Sequence, residues 1–186
     1  MTKYHHRWDK RLLDLLLLAV ATPLALALTL AIVPLIWLVD GAPALFRQAR
    51  IGHRGDSFTI YKLRTMRANG KGMEVTGLGR WLRRLRLDEL PQLINILNGS
   101  MSWVGPRPEQ VHFAQELMQS NPEFGRRHQV RPGITGLAQI RMPYATVEDN
   151  MDKLPHDLEY IQKANCCYDL WILWQTFAAV LKKRQP

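Results

Sequence analysis

Cysteine is nearly absent: the 186 residues hold two, Cys166 and Cys167, and they are adjacent. Neighbouring thiols give neither metal-ligand spacing nor a disulfide framework, so the pattern excludes a stapled secreted scaffold and favours a reducing, cytoplasmic setting. No repeat or low-complexity tract is present, and the length, with an ordinary 47% hydrophobic content, suits one folded domain. Acids are scarce. Sixteen Asp and Glu face 25 Lys and Arg, a formal charge of +9 with a pI near 9.9, which selects anionic partners: nucleic acid, anionic lipid or phosphorylated substrates. Aromatics interleaved with the arginines are few and no nucleic-acid motif occurs, so no nucleic-acid partner is expected.

Charge is missing altogether from residues 15–39, a run of 25 residues that as one straight helix would cross a ~30 Å hydrocarbon layer at ~1.5 Å per residue. Two prolines oppose a straight crossing. Pro23, preceded by Thr22, interrupts the backbone ladder near the middle and Pro34 near the end, and the Thr22 hydroxyl is placed to bond a freed carbonyl. Lys3, Arg7, Lys10 and Arg11 precede the run, while Arg47, Arg50 and Arg54 follow it. A single crossing would leave one basic flank outside, against the positive-inside tendency. The sequence therefore predicts a re-entrant membrane helix hairpin over residues 1–43 that enters, bends at Thr22 and Pro23, and returns to the same face. The run is too long for a cleaved signal peptide and lacks a small-residue cleavage site. Asp14, just inside its start, is expected to pair with Lys10 or Arg11 at the membrane interface.

The charge pattern reverses within residues 80–108. Between Arg47 and Arg86 eleven basic residues stand against Asp56 and Glu74 alone, and then Asp88 and Glu89 come together. Leu90, Leu93, Ile94 and Leu97 recur at helical spacing and Gly99 is a natural stop. These predict a short amphipathic helix over residues 88–98, with Asp88 as N-cap and Pro91 in the first turn. A carboxylate there accepts backbone N–H bonds and feels the positive dipole end, which keeps Asp88 ionised and able to act as nucleophile or metal ligand. Taken alone, the pair reads as easily as a cap and a first-turn acid; its surroundings give it chemistry.

Residues 44–66 read as a β-hairpin turning at residues 53–56, and alternation puts Lys62 and Arg64 on one face, suited to a diphosphate or a lipid headgroup. Residues 68–79 carry four glycines and read as a mobile loop able to close over a substrate. Residues 80–86, with Trp81, Leu82 and Leu85 on one side, suit an anionic lipid surface. Residues 102–108 hold Arg107 between prolines, and residues 131–136 repeat the device with Arg131; each presents a guanidinium to phosphate oxygens on a stiff backbone. Residues 109–120 are helix-like and His128 reads as a surface or interface residue. Residues 148–163 form a polar helix with Leu154, Leu158 and Ile161 as its apolar side. Residues 168–181 carry Trp171 and Trp174, are closed by Lys182, Lys183 and Arg184, and suit an interfacial helix too short to span.

The runs KRLLDLLLL with its hydroxyl-proline break, FRQARIGHRGDSFTIYKLRTM, LDELPQLINILNGSMSWVGPRPE, RPGITGLAQI and HDLEYI, in that order, resemble the bacterial sugar transferase family, the monotopic phosphoglycosyl transferases. The resemblance covers the chain from about Lys10 to Leu181 and is to the catalytic core alone. It implies transfer of a sugar 1-phosphate from a UDP-sugar to undecaprenyl phosphate with release of UMP, through a phosphosugar on Asp88, with Glu89 assisting and Mg2+ held at Asp88 and Glu89. Arg107 and Arg131, with Lys62 and Arg64, would clamp the phosphates. The segment from Pro143 to Ile161 resembles members that prime exopolysaccharide synthesis. Three positions depart from the family pattern: Ser100 where many members have an acid, Arg86 where they often carry Ser or Thr, and Arg141-Met142-Pro143 where many have Gly-Arg, so sugar specificity does not transfer.

The expectation is thus an α+β, mostly helical monotopic membrane protein with a re-entrant N-terminal helix, a small β-hairpin and interfacial amphipathic helices. Residues 44–186 form its catalytic domain on the cytoplasmic face of the bacterial inner membrane, and self-association into a homo-oligomer is left open. The alternative is a non-catalytic, basic, membrane-anchored module that binds anionic lipid or a partner protein.

Overall fold

A computed structural model describes residues 4, 8–70, 72–146 and 148–182. The cations Lys3, Arg7, Lys71, Lys183 and Arg184 lie outside the described residues. Helix α1 spans Trp8–Asp40 and continues through both prolines. Pro23 deprives Ala19 of a donor, yet the Thr22 hydroxyl bonds the neighbouring carbonyl of Leu18 at 2.7 Å, a back-bond that bends helices without repairing the gap. Lys10, Asp14, Leu18, Ala25, Ile32 and Ile36 form one buried stripe along the helix. Leu12, Leu16, Val20, Leu24, Leu30 and Leu38 are exposed, and only 17% of its most apolar 18-residue window is buried. The helix is therefore inside out by aqueous standards.

Both ends of α1 dock on the rest of the chain. Near its start, Lys10 Nζ lies 3.2 Å from Asp14 and 2.7 Å from Asp169, while Asp14 accepts from Ser102 Oγ at 3.0 Å. The expected Lys10–Asp14 pair forms, but as a buried triad with Asp169, because the last helix supplies a second carboxylate and covers the pair. Further along, Leu18 packs with Ile60, Ile96 and Met101. Near the end, Ile32 and Ile36 pack with Ala44, Leu63 and Leu82.

Strands β1 (Leu45–Ile51) and β2 (Ser57–Leu63) form the expected antiparallel hairpin, Leu45 opposite Leu63 and Ile51 opposite Ser57. Arg54 takes the left-handed conformation at its turn, with φ 61°. The glycine-rich stretch is a second hairpin, β3 (Met66–Ala68) with β4 (Met73–Val75), rather than an open loop. It leads into α2 (Gly77–Arg84), whose N-terminus is capped when the Thr76 side chain accepts from Gly79 N. Gly79 is required there, since a Cβ would stand 2.2 Å from the Thr65 carbonyl oxygen.

A 3₁₀ helix, Leu87–Gln92, and the short α3, Leu93–Leu97, replace the single α-helix expected over residues 88–98. Leu87 and Leu90 both pack against the Ile32–Leu82 cluster, and a three-residue repeat is the 3₁₀ spacing, in which residues i and i+3 eclipse. The two stiff arginine loops prove to be one unit. Strand β5 (Ser102–Val104) pairs in parallel with β6 (Gly133–Thr135), and Gly133 N donates to Pro106 O at 3.0 Å. Helices α4 (Val111–Ser120), α5 (Leu137–Arg141), α6 (Asn150–Lys163) and α7 (Cys166–Leu181) complete the fold, with a 3₁₀ segment, Pro122–Gln129, after α4. Tyr160 of α6 donates to Asp169 at 2.8 Å, tying α6 to α7 beside the Lys10 triad, and Trp174 faces outward from α7. The α+β, mostly helical class and the long apolar helix are as expected.

Lys10 compensates two buried carboxylates, so Lys10→Met is expected to destabilise the chain by about 3–5 kcal/mol, the usual cost of stranding buried charge. Denaturant titration in detergent measures this, and a loss below about 1 kcal/mol would contradict the triad's anchoring role.

Candidate functional site

The acidic pair lies in the first turn of the 3₁₀ helix, entered through Arg86 in the left-handed conformation (φ 58°). Arg86, not Asp88, stands at the N-cap. Asp88 is 7% and Glu89 5% exposed, held there because Leu87 and Leu90 anchor the turn on one apolar cluster and Leu93 on another. Arg11 then caps the end of α3 from α1: its guanidinium donates to Ile96 O at 2.6 Å and Leu97 O at 2.8 Å, filling carbonyls that α3 leaves open.

Glu89 gathers cations from three elements. Its carboxylate accepts from Lys62 of β2 at 3.2 Å and from Arg107 at 2.9 Å, with Arg86 at 3.8 Å. Burial pushes the Glu89 carboxyl up, but Arg107, Lys62 and Arg86 together outweigh it and hold the group far below the ordinary glutamate range. Asp88 has the opposite environment. Among the described residues no hydrogen bond or ion pair reaches its carboxylate, and burial first, then the Glu89 charge, raise its pKa against the pull of Lys62, Arg83 and Arg86. The expectation that a cap would hold Asp88 low is corrected, because the cations close on its neighbour instead. Burial and Arg107 also lower the Lys62 ammonium, which Glu89 holds up in part.

Arg107 is fixed through its backbone. Arg127 donates to Arg107 O at 2.9 Å and Arg50 donates to Pro108 O at 3.1 Å. Arg127 is itself ion-paired with Asp157 at 2.7 Å and lies 3.9 Å from Glu109. Sequence reasoning gave no place in the site to Arg50, Glu109, Arg127 or Asp157, although all but Arg127 lie inside the quoted family runs. His128, read as a surface or interface residue, is buried against Phe124, and burial with Arg127 pushes its pKa down to about 4.

The remaining expected site residues are elsewhere. Arg64 follows the last residue of β2, so strand alternation does not carry it to Lys62; it donates to Asp40 O at 2.7 Å and Ala42 O at 3.0 Å, capping the end of α1. Arg131 borders a void of about 10 Å³ with Lys10, Asp14, Ser102 and Val104. Its carbonyl stands where a Cβ on residue 105 would be, 2.3 Å away, so this loop contributes backbone support. Ser100 bonds Asn98 at 2.7 Å and supports its own turn. Arg141 forks onto Glu159 of α6.

Beside the acids opens a cavity of about 780 Å³, mostly apolar, between α1, the 3₁₀ turn, β6, α5 and α7. Arg86 and Glu89 line it at one side, with Leu24, Leu28, Trp103 and Thr176 among its walls.

Residues 5–183 match the family described as bacterial sugar transferase. The chain is 39% identical over 183 residues to the UDP-N-acetylgalactosamine-undecaprenyl-phosphate N-acetylgalactosaminephosphotransferase of Aeromonas hydrophila, covering 92% of this chain and 43% of that protein. It is 40% identical over 186 residues to the UDP-glucose:undecaprenyl-phosphate glucose-1-phosphate transferase of Caulobacter vibrioides, covering 93% and 67%. Against the exopolysaccharide production protein ExoY of Sinorhizobium fredii the identity is 36% over 205 residues, covering 95% and 87%. The chain thus spans less than half the length of the first relative.

Glu89 fixes the pH response of this cluster. Its depressed pKa means its stabilisation is complete above the ordinary value of 4.5 and is lost as pH falls below it towards the folded value. Glu89→Gln strands Lys62 and Arg107 and is expected to cost about 3–5 kcal/mol at pH 7, with the gap to wild type narrowing as pH falls below about 4.5. Denaturation at a series of pH values reads this, and a constant gap would contradict the ion-pair assignment.

Proposed function

The chain belongs to the bacterial sugar transferase family, and on that premise we propose that it transfers a sugar 1-phosphate from a UDP-sugar to undecaprenyl phosphate, releasing UMP. The observation that carries this is the asymmetry of the acids: Glu89 holds three cations while the neighbouring Asp88 carboxylate has no partner among the described residues. A carboxylate in that position is a nucleophile beside fixed positive charge. An Asp88 oxygen attacks the β-phosphorus of the donor; the bond to the oxygen bridging the two phosphates breaks, and UMP leaves with that oxygen. The phosphosugar is then carried as a mixed anhydride on Asp88. A phosphate oxygen of the lipid attacks the same phosphorus, the bond to Asp88 breaks, and the carboxylate is restored. Arg107 and Lys62 face the phosphates. Glu89 is too strongly ionised to accept a proton at neutral pH, so its role is to hold those cations in place.

Mg2+ fits Asp88 better than a protein cage. No group of three or more His, Cys, Asp or Glu that could hold a metal occurs among the described residues, whereas Mg2+ is commonly held by one or two carboxylates and substrate phosphates. Asp88 would contribute the carboxylate, with Glu89 engaged by Arg107 and Lys62. Bound there, Mg2+ would neutralise charge on the donor diphosphate.

The outward leucines of α1 support a monotopic membrane setting. Between Lys10 and Ile36 the helix rises ~40 Å at 1.5 Å per residue, and both of these residues are buried against the same chain. A straight crossing would carry that packed domain into hydrocarbon with it, which its polar hairpins oppose. The re-entrant course with both flanks on the cytoplasmic face of the inner membrane answers this, and the exposed Trp81, Trp171 and Trp174 would lie at headgroup level. The two relatives named for their reactions use different sugars, so the donor is to be found by assay; the likeness to the exopolysaccharide production protein supports a role in exopolysaccharide or related glycoconjugate synthesis.

Purified protein with Mg2+, undecaprenyl phosphate and a panel of UDP-sugars is expected to release UMP with at least one donor, and Asp88→Asn to lower that rate by about 10³-fold or more. Silence with every donor, or undiminished release by the variant, contradicts the proposal. For the topology, a cysteine replacing Trp8 or Arg54 in a Cys166→Ser, Cys167→Ser background is expected to react with an impermeant maleimide in inverted vesicles and not in right-side-out ones. Labelling of the two positions from opposite faces would establish a crossing helix instead.

A further inference from the structure

We propose that Arg86 recognises the phosphate head of the lipid acceptor, whose apolar chain occupies the cavity between α1 and α7. The inference rests on the transferase reading and adds to it a residue and a direction of approach.

Three charged residues line the cavity: Arg86, Glu89 and Lys182. Glu89 is occupied by Lys62 and Arg107, and Lys182 follows the end of α7. Arg86 is therefore the cation at the junction of apolar walls and acidic pair, two residues before Asp88. Of the three cations on Glu89 it stands farthest away, at 3.8 Å against 2.9 and 3.2 Å, with 37% of its side chain exposed. The backbone holds it firmly: Arg86 N donates to Arg83 O at 3.1 Å, and Arg86 O accepts from Glu89 N at 3.3 Å. Its φ of 58° is one that glycine adopts freely and arginine does not. A side chain kept at a strained position, with its planar fork at the mouth of an apolar cavity, matches a ligand with an anionic head and an apolar tail. An incoming phosphate would meet the negative charge of Glu89 and of any ionised carboxylate beside it, and Arg86 is the charge placed to offset that repulsion on the cavity side. Donor recognition falls to Lys62 and Arg107, the closer cations on Glu89.

The test uses the full chain in detergent with undecaprenyl phosphate and the UDP-sugar that supports wild-type turnover. Three quantities are read: KM for the acceptor, KM for the donor, and UMP released in a single turnover without acceptor. Arg86→Gln is expected to raise the acceptor KM at least tenfold, a change several times larger than any in donor KM or acceptor-free release, and Arg86→Lys to recover part of the loss. Arg86→Gly, which relieves the backbone while removing the guanidinium, is expected to show the same acceptor defect, separating recognition from folding. An acceptor KM within twofold of wild type in both Arg86→Gln and Arg86→Gly overturns the inference. So does an equal fall in acceptor-free release, which would assign Arg86 to the donor or to Glu89 alone. A wild-type chain that releases no UMP with any donor ends the transferase reading itself, whereas wild-type turnover with an unmoved acceptor KM ends only this inference.

Discussion

Burying a carboxylate in a protein is unfavourable unless cations and hydrogen bonds replace the lost water. Glu89 meets that constraint with Lys62, Arg107 and Arg86, drawn from a strand, a proline-flanked loop and the residue entering the 3₁₀ turn. The arrangement continues outward: Arg107 is held through its carbonyl by Arg127, Arg127 by Asp157 of α6, and the following Pro108 carbonyl by Arg50 of β1. Elements far apart in sequence are thereby fixed around one side chain. The consequence for Asp88 is electrostatic. Its neighbour draws the closest cations and adds a like charge, so Asp88, whose carboxylate meets no hydrogen bond or ion pair among the described residues, is left desolvated and raised in pKa, and the proposed attack draws on that difference between the two acids.

The second organising feature is α1, which turns leucines outward and two charged residues inward. Lys10 and Asp14 are buried where Asp169 accepts from Lys10 and Ser102 donates to Asp14, with Tyr160 donating in turn to Asp169, while the outward leucines are exposed and call for an apolar medium. The helix also reaches the site directly, since Arg11 caps α3 just beyond the acids. Outward apolar surface, apolar cavity and acidic pair are thus joined through one helix, the arrangement that the proposed transfer to a lipid phosphate calls for.

Local pattern revealed a good part of this architecture. The charge-free run, the first hairpin, the acidic pair and the last two helices follow periodicities of 3.6 and 2 that are visible in any single stretch. What stayed hidden depended on distant partners. Arg64 was grouped with Lys62 by strand alternation, but the strand ends one residue earlier and the end of α1 offers open carbonyls. The stiff loops bearing Arg107 and Arg131 looked like two copies of one device, although β5 and β6 pair so that one presents its arginine and the other its backbone. The 3₁₀ turn was legible in principle, since Leu87, Leu90 and Leu93 recur at three, but a helical reading absorbed two of them. Arg127 and Asp157 gave no local signal, because their meaning lies in each other.

The central claim is that Asp88, freed by Glu89, carries the phosphosugar. Mass spectrometry of the protein incubated with Mg2+ and its UDP-sugar, without lipid acceptor, tests it most directly. The account predicts a mass gain equal to one sugar phosphate on the peptide holding Asp88, lost when undecaprenyl phosphate is added. UMP formed only in the presence of acceptor, with unmodified protein throughout, or an adduct on another residue, would contradict it.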